Sequence, residues 1–148
     1  MDGGPSLAPA SISTATTPQD VLDLADRYAE AADHLFAENR RSKPDLNMPA
    51  RLCALHATEL YLHAFLRFRG ASAKQMRARN HDLWHEEFNR CLGLDAKTCR
   101  HLQELTNGRV YLSVRYPVEQ VAQPCPINRM ERTLEAIREK ADRIPFHI

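Results

Sequence analysis

The chain has 148 residues, 43% of them hydrophobic and 26% charged, with a formal net charge of +1. That is one ordinary globular domain, with no overall field to draw it to nucleic acid or a membrane, so any such binding must come from a local patch. Cys53, Cys91, Cys99 and Cys125 are scattered with no C-x-x-C pair, which excludes a zinc ribbon.

The chain opens Met1-Asp2-Gly3-Gly4-Pro5, with no basic stretch before an apolar run, so it reads as a cytoplasmic protein with free thiols. No apolar run approaches the roughly 20 residues a membrane helix needs. Residues 1–16 are rich in Gly, Pro, Ser, Ala and Thr and are expected to form a disordered tail. Residues 17–148 form the expected single domain.

Thr17-Pro18-Gln19-Asp20 is a helix start, with a capping hydroxyl, a proline for the first turn and an acid at the positive end. The first helix is expected to reach about Asn39, with Val21, Ala25, Tyr28, Ala32 and Leu35 as its apolar stripe. Asp20, Asp23, Asp26, Glu30 and Asp33 make the remainder acidic, a solvated face.

Asn47 is positioned to cap a second helix from Met48 to Phe68, which Gly70 stops. Leu52, Leu55, Leu62 and Leu66 lie on one side of it, and Ala54, Ala57, Tyr61, Ala64 and Phe68 widen that face. A helix apolar nearly all round belongs at the centre of a bundle. Ser72 to Arg79 is read as a turn. A third helix is expected from His81 to Cys91, capped by Asn80 and stopped by Gly93.

Asp95 caps a fourth, with Cys99, Leu102, Leu105 and Leu112 inward, ending before Pro117. Gly108 within it costs about 1 kcal/mol against alanine. After a loop holding Pro117 and Pro124, Pro126 opens a last helix to about Arg143, with Ile127, Met130, Leu134 and Ile137 inward. The expectation is an all-α up-and-down bundle of about five helices.

Three segments carry a resemblance: "ALHATELYLHAFLRFRG" (54–70), "RARNHDLWHEEFNRCLGL" (77–94) and "LQELTNGRVYLSVRYP" (102–117). An A-x-x-A-x-E-L helix, then His81-Asp82-Leu83, then Tyr111 to Pro117, resembles the order of features in the HEPN domain, over about residues 20–143. The resemblance implies a HEPN-like helical bundle, a homodimer and association with RNA. Many HEPN proteins are ribonucleases with an R-x(4–6)-H motif late in the bundle. Others partner a small nucleotidyltransferase in toxin–antitoxin pairs, and many have lost the motif and serve as binding modules.

That motif is degenerate where it is expected. Arg109 has no histidine at 114–116 and Arg115 none at 120–122. Arg51–His56 and Arg79–His85 match formally, but earlier in the chain. A ribonuclease of this type needs a histidine as general acid or base and an arginine on the phosphate; arginine alone still binds phosphate.

The expectation is therefore a dimeric RNA- or nucleotide-binding module. The alternatives are a metal-independent endoribonuclease of toxin type and a structural helper of a nucleotidyltransferase. The binding candidates are Arg109, Tyr111, Arg115 and Tyr116, with Tyr111 offering a ring face and Arg115 a bidentate grip. Arg77 and Arg79 join them from an acid-free basic run that also holds Arg67, Arg69 and Lys74. A solvated helix end reads equally well for that run.

Two histidine pairs invite a metal. His81 and His85 are four apart, but Asp82 stands where a zincin has glutamate, and only distant His101 offers a third ligand. His56, Glu59 and His63 line one edge of the second helix, where core hydrogen bonds are the commoner use. No metal and no cofactor is expected.

Overall fold

The computed structural model describes residues 16–41, 48–79, 82–84, 92–107 and 126–143. The expected third helix beyond Trp84, and His81, Arg109, Tyr111, Leu112, Arg115 and Tyr116, lie outside the described residues. Within them the protein is an all-α helical bundle. Its helices are α1 (Pro18–Arg41), α2 (Met48–Phe68), α3 (Ala73–Ala78), α4 (Ala96–Asn107) and α5 (Ile127–Arg143).

Local chemistry sets the boundaries. Thr17 Oγ1 accepts the Asp20 amide at 3.0 Å while the Asp20 carboxylate accepts the Thr17 amide at 2.9 Å. Two donors orphaned at the start of α1 are thereby satisfied. At the end of α2 the Ala71 amide reaches the Leu66 carbonyl and the Gly70 amide reaches Arg67, each at 3.0 Å. This double closure needs a left-handed residue, and Gly70 supplies it at φ 102°. Asp95 caps α4 by accepting the Thr98 amide at 2.8 Å.

Helix α2 lies at the centre. Ala54, Leu55, Ala57, Leu60, Tyr61, Leu62, Ala64, Phe65 and Leu66 are all buried, while Leu52 and Phe68 are half-buried. Contacts with α1 run in opposite order along the two helices. Tyr28 meets His56, Asp26 meets Tyr61 and Thr16 meets Arg67, so the pair is antiparallel. Alanines populate this seam from both sides: Ala25, Ala29 and Ala32 on α1, and Ala50, Ala54 and Ala57 on α2, are at most 1% exposed. Small side chains let two backbones approach closely.

The buried face of α1 is wider than its stripe suggested. Leu22, Ala29 and Phe36 are buried as well, whereas Tyr28 and Leu35 are only half-buried. Its acidic side is not wholly given to solvent either. Asp26 accepts the Tyr61 hydroxyl at 2.5 Å, and Asp33 takes a bidentate grip from Arg138 of α5 at 3.0 and 3.2 Å.

Two expectations need correction. Ser72–Arg79 is not a plain turn but carries α3, because Ser72 and Gln75 form a reciprocal capping box. Asp82–Trp84, expected in helix, is loop. The Arg79 guanidinium donates from Nη2 to the carbonyls of Asp82 and Trp84 at 3.1 and 3.0 Å, drawing both toward one cation. The Leu83 amide donates to Thr106 Oγ1 on α4 at 2.8 Å. Leu83 is buried and Trp84 packs against the core, as its inward assignment required.

Candidate functional site: a basic corner and a histidine–glutamate ladder

The last turn of α2, the Gly70 turn and α3 gather Arg67, Arg69, Lys74, Arg77 and Arg79 at one corner. No acid occurs between Glu59 and Asp82. Arg69, Lys74 and Arg77 are exposed and Arg67 is half-buried. At the α2 terminus the carbonyls of Leu66 and Arg67 receive backbone amides.

The cations divide by task. Arg67 donates to the Thr16 carbonyl at 3.0 Å, tying the start of α1 to the end of α2. Arg79 turns inward as a brace for the 82–84 loop. Burial pulls its guanidinium below the usual value, opposed by the charges of Asp82 and Glu59. Lys74 and Arg77 stand outward on α3, and Arg69 is exposed at the end of α2. Of the two basic-run candidates, Arg77 therefore faces solvent and Arg79 faces the chain.

Beneath the corner, Glu59 is 5% exposed. Its Oε1 lies 3.7 Å from His56 Nδ1 and its Oε2 lies 3.7 Å from His63 Nε2. The Tyr28 ring stands edge-on to His56, with centroids 4.4 Å apart. The imidazoles flank the carboxylate from the turns before and after it, so they meet different oxygens and do not converge on one point. Among the described residues, no group of three or more His, Cys, Asp or Glu side chains is placed to hold a metal ion.

His101 is not near either of these. It is 1% exposed at the α4–α5 seam, where its Nδ1 lies 2.5 Å from Thr133 Oγ1. Its Nε2 is buried with no hydrogen-bond partner among the described residues. Burial, reinforced by the charge of Arg129 and opposed by Glu104, lowers its pKa to about 4. It stays a neutral core histidine at neutral pH, which does not suit acid–base work there.

The early formal matches to the ribonuclease motif are placed unequally. Arg51 is 5% exposed, while His56 presents about a quarter of its side-chain surface, 29%. In the second match, Arg79 holds loop carbonyls and His85 lies outside the described residues. Asp82, carried by the family motif, is half-buried, and its amide donates to the Arg79 carbonyl at 3.0 Å.

Sequence reasoning found the basic run but not which of its members turn inward. It also missed the pairing of His101 with Thr133, since nothing local marks a bond across 32 residues. The chain matches no known family model, no curated protein and no solved structure. No helix among the described residues is long and apolar enough to cross a membrane.

Proposed function

We propose that the chain is a HEPN-like helical module that associates with RNA or nucleotides and lacks a competent R-x(4–6)-H ribonuclease centre. The observation that carries this reading is the exposure of Arg69, Lys74 and Arg77 in a stretch without acids. Phosphates are bound by such clusters with little need for shaped pockets.

Two placements support the non-catalytic form. Arg51 is buried where a phosphate-gripping arginine must be reachable, and Arg79 is engaged by the chain's own carbonyls. A homodimer in the cytoplasm, with Tyr111, Arg115, Arg109 and Tyr116 lining a shared face, completes the reading: the dimer comes from the resemblance, the compartment and these residues from the sequence.

The test is incubation of RNA with purified protein, with and without EDTA, beside a binding titration. Binding without cleavage is expected. Cleavage that survives EDTA and is abolished by His56→Ala would replace the module with a metal-independent endoribonuclease. Cleavage abolished by EDTA would revive a metal site. Absence of both binding and cleavage would remove RNA from the reading, leaving the helper of a nucleotidyltransferase.

A further inference from the structure

We infer that the corner takes the phosphodiester backbone of single-stranded RNA and does not read its bases, an inference that rests on the RNA-binding reading above. Base recognition in single strands needs a stacking surface or polar groups converging on a base edge. The segment 67–79 has one aromatic, Phe68, and it is half-buried. Met76, the other large apolar group, packs against the core. What remains outward is charge on long, flexible stems.

The arrangement is a track rather than a pocket. Arg69 sits before Gly70, while Lys74 and Arg77 lie one turn apart on α3, beyond it. The amides of Gly70 and Ala71 on the carbonyls of Arg67 and Leu66 fix the turn, the Ser72–Gln75 capping box fixes the start of α3, and Met76 packs α3 against the core, so Arg69 keeps a set relation to Lys74 and Arg77. Cations strung over two elements suit successive phosphates of one strand better than the single charged group of a mononucleotide.

One edge of the track is acidic. Because α1 runs antiparallel to α2, its N-terminal turns stand level with the corner, and Asp20 and Asp23 are exposed there. These carboxylates repel a phosphate chain and confine it to the α3 side.

The experiment is fluorescence anisotropy with labelled oligo(A) and oligo(U) across a KCl series, using the full chain. Both oligomers are expected to bind alike, with log K falling against log salt at a slope of about −2, the value for three neutralised phosphates. Lys74→Glu with Arg77→Glu should lower affinity at least about tenfold and make the slope shallower by about 1.4. Asp23→Asn should tighten binding, and AMP should not compete.

A preference of an order of magnitude between the two oligomers, or displacement by AMP, overturns backbone-only recognition. Steep salt-dependent binding that the α3 double variant leaves unchanged overturns the corner while sparing the RNA reading. Failure of the wild-type protein to bind either oligomer at low salt defeats that reading itself. Poly-glutamate bound more tightly than RNA would reassign the corner to an acidic protein partner. Circular dichroism of each variant guards against misfolding, since all the substituted residues are exposed.

Discussion

The α1–α2 seam and the α4–α5 seam are both antiparallel, yet they are held by different physics. The first is long and lined with alanines that are almost completely buried, and polar contacts such as Tyr61 to Asp26 are added to an apolar joint. The second is short. At its heart is a bond between two buried polar groups, His101 and Thr133, with the Arg129–Glu104 pair on its rim. The apolar seam depends chiefly on volume. The polar seam depends on one imidazole remaining neutral.

The largest expected effect tests the apolar seam. Phe36, 2% exposed on α1, should cost about 3–5 kcal/mol when replaced by alanine, because a phenyl-sized void in a close-packed joint collapses only partly. Urea unfolding at neutral pH measures it. A loss below about 0.5 kcal/mol, the range of surface substitutions, would mean that α1 is a loosely held cover.

Acid should single out the second seam. His101 has a folded pKa of about 4 against an ordinary value of 6.5. A depressed histidine pKa means that the unfolded chain takes up the proton first. The contribution of His101 is therefore fully present above pH 6.5, is lost as pH falls from there toward 4, and is constant below. The loss is on the order of 3 kcal/mol. His101→Gln keeps an amide opposite Thr133 and removes the titration, so its stability between pH 6.5 and 4 should fall less than that of the wild type. Parallel curves for the two proteins would show that His101 is not the acid-sensitive group.

Tyr61→Phe tests the polar addition to the first seam. The hydroxyl is 2.5 Å from a half-buried carboxylate, and a bond to a charged acceptor contributes about 1.5–3 kcal/mol. Asp26 can recover some hydration, so the loss should lie at the lower end of that range. A double-mutant cycle with Asp26→Asn isolates the bond. A coupling energy near zero would assign the stability of this seam to burial alone.

The same contrast explains what could be read in advance. Caps and stops are local chemistry, so Thr17, Asp20, Gly70, Asp95 and Pro126 marked helix ends from sequence, and the apolar pattern of α2 placed it at the centre. Phe36 and Leu22 were missed because alanines at 25, 29 and 32 let α1 settle deeper against α2 than a single stripe implies. Bonds across long separations, such as Asp33 to Arg138 over 105 residues, have no local signature. At the corner the basic run was plain. The inward turn of Arg79 was not, because it depends on two carbonyls in a loop that the local pattern had assigned to a helix.

The smallest effect belongs to the rim of the polar seam. Arg129 grips Glu104 with both Nη groups at 3.1 Å, and its hydrogen bonds hold the Glu104 carboxyl below its usual range. The carboxylate is half exposed, at 50%, so water and salt screen the pair. Glu104→Gln should leave the neutral-pH unfolding midpoint where it is. Its effect should surface in acid: Glu104 opposes the influence of Arg129 on His101, so removing its charge drives the histidine pKa lower and moves its protonation to lower pH. The imidazole resonances of His101, followed by NMR through an acid titration, report that shift. If instead Glu104→Gln destabilises the neutral protein as much as Tyr61→Phe does, then the seam is held from its surface, and the buried His101–Thr133 bond is secondary to the ion pair.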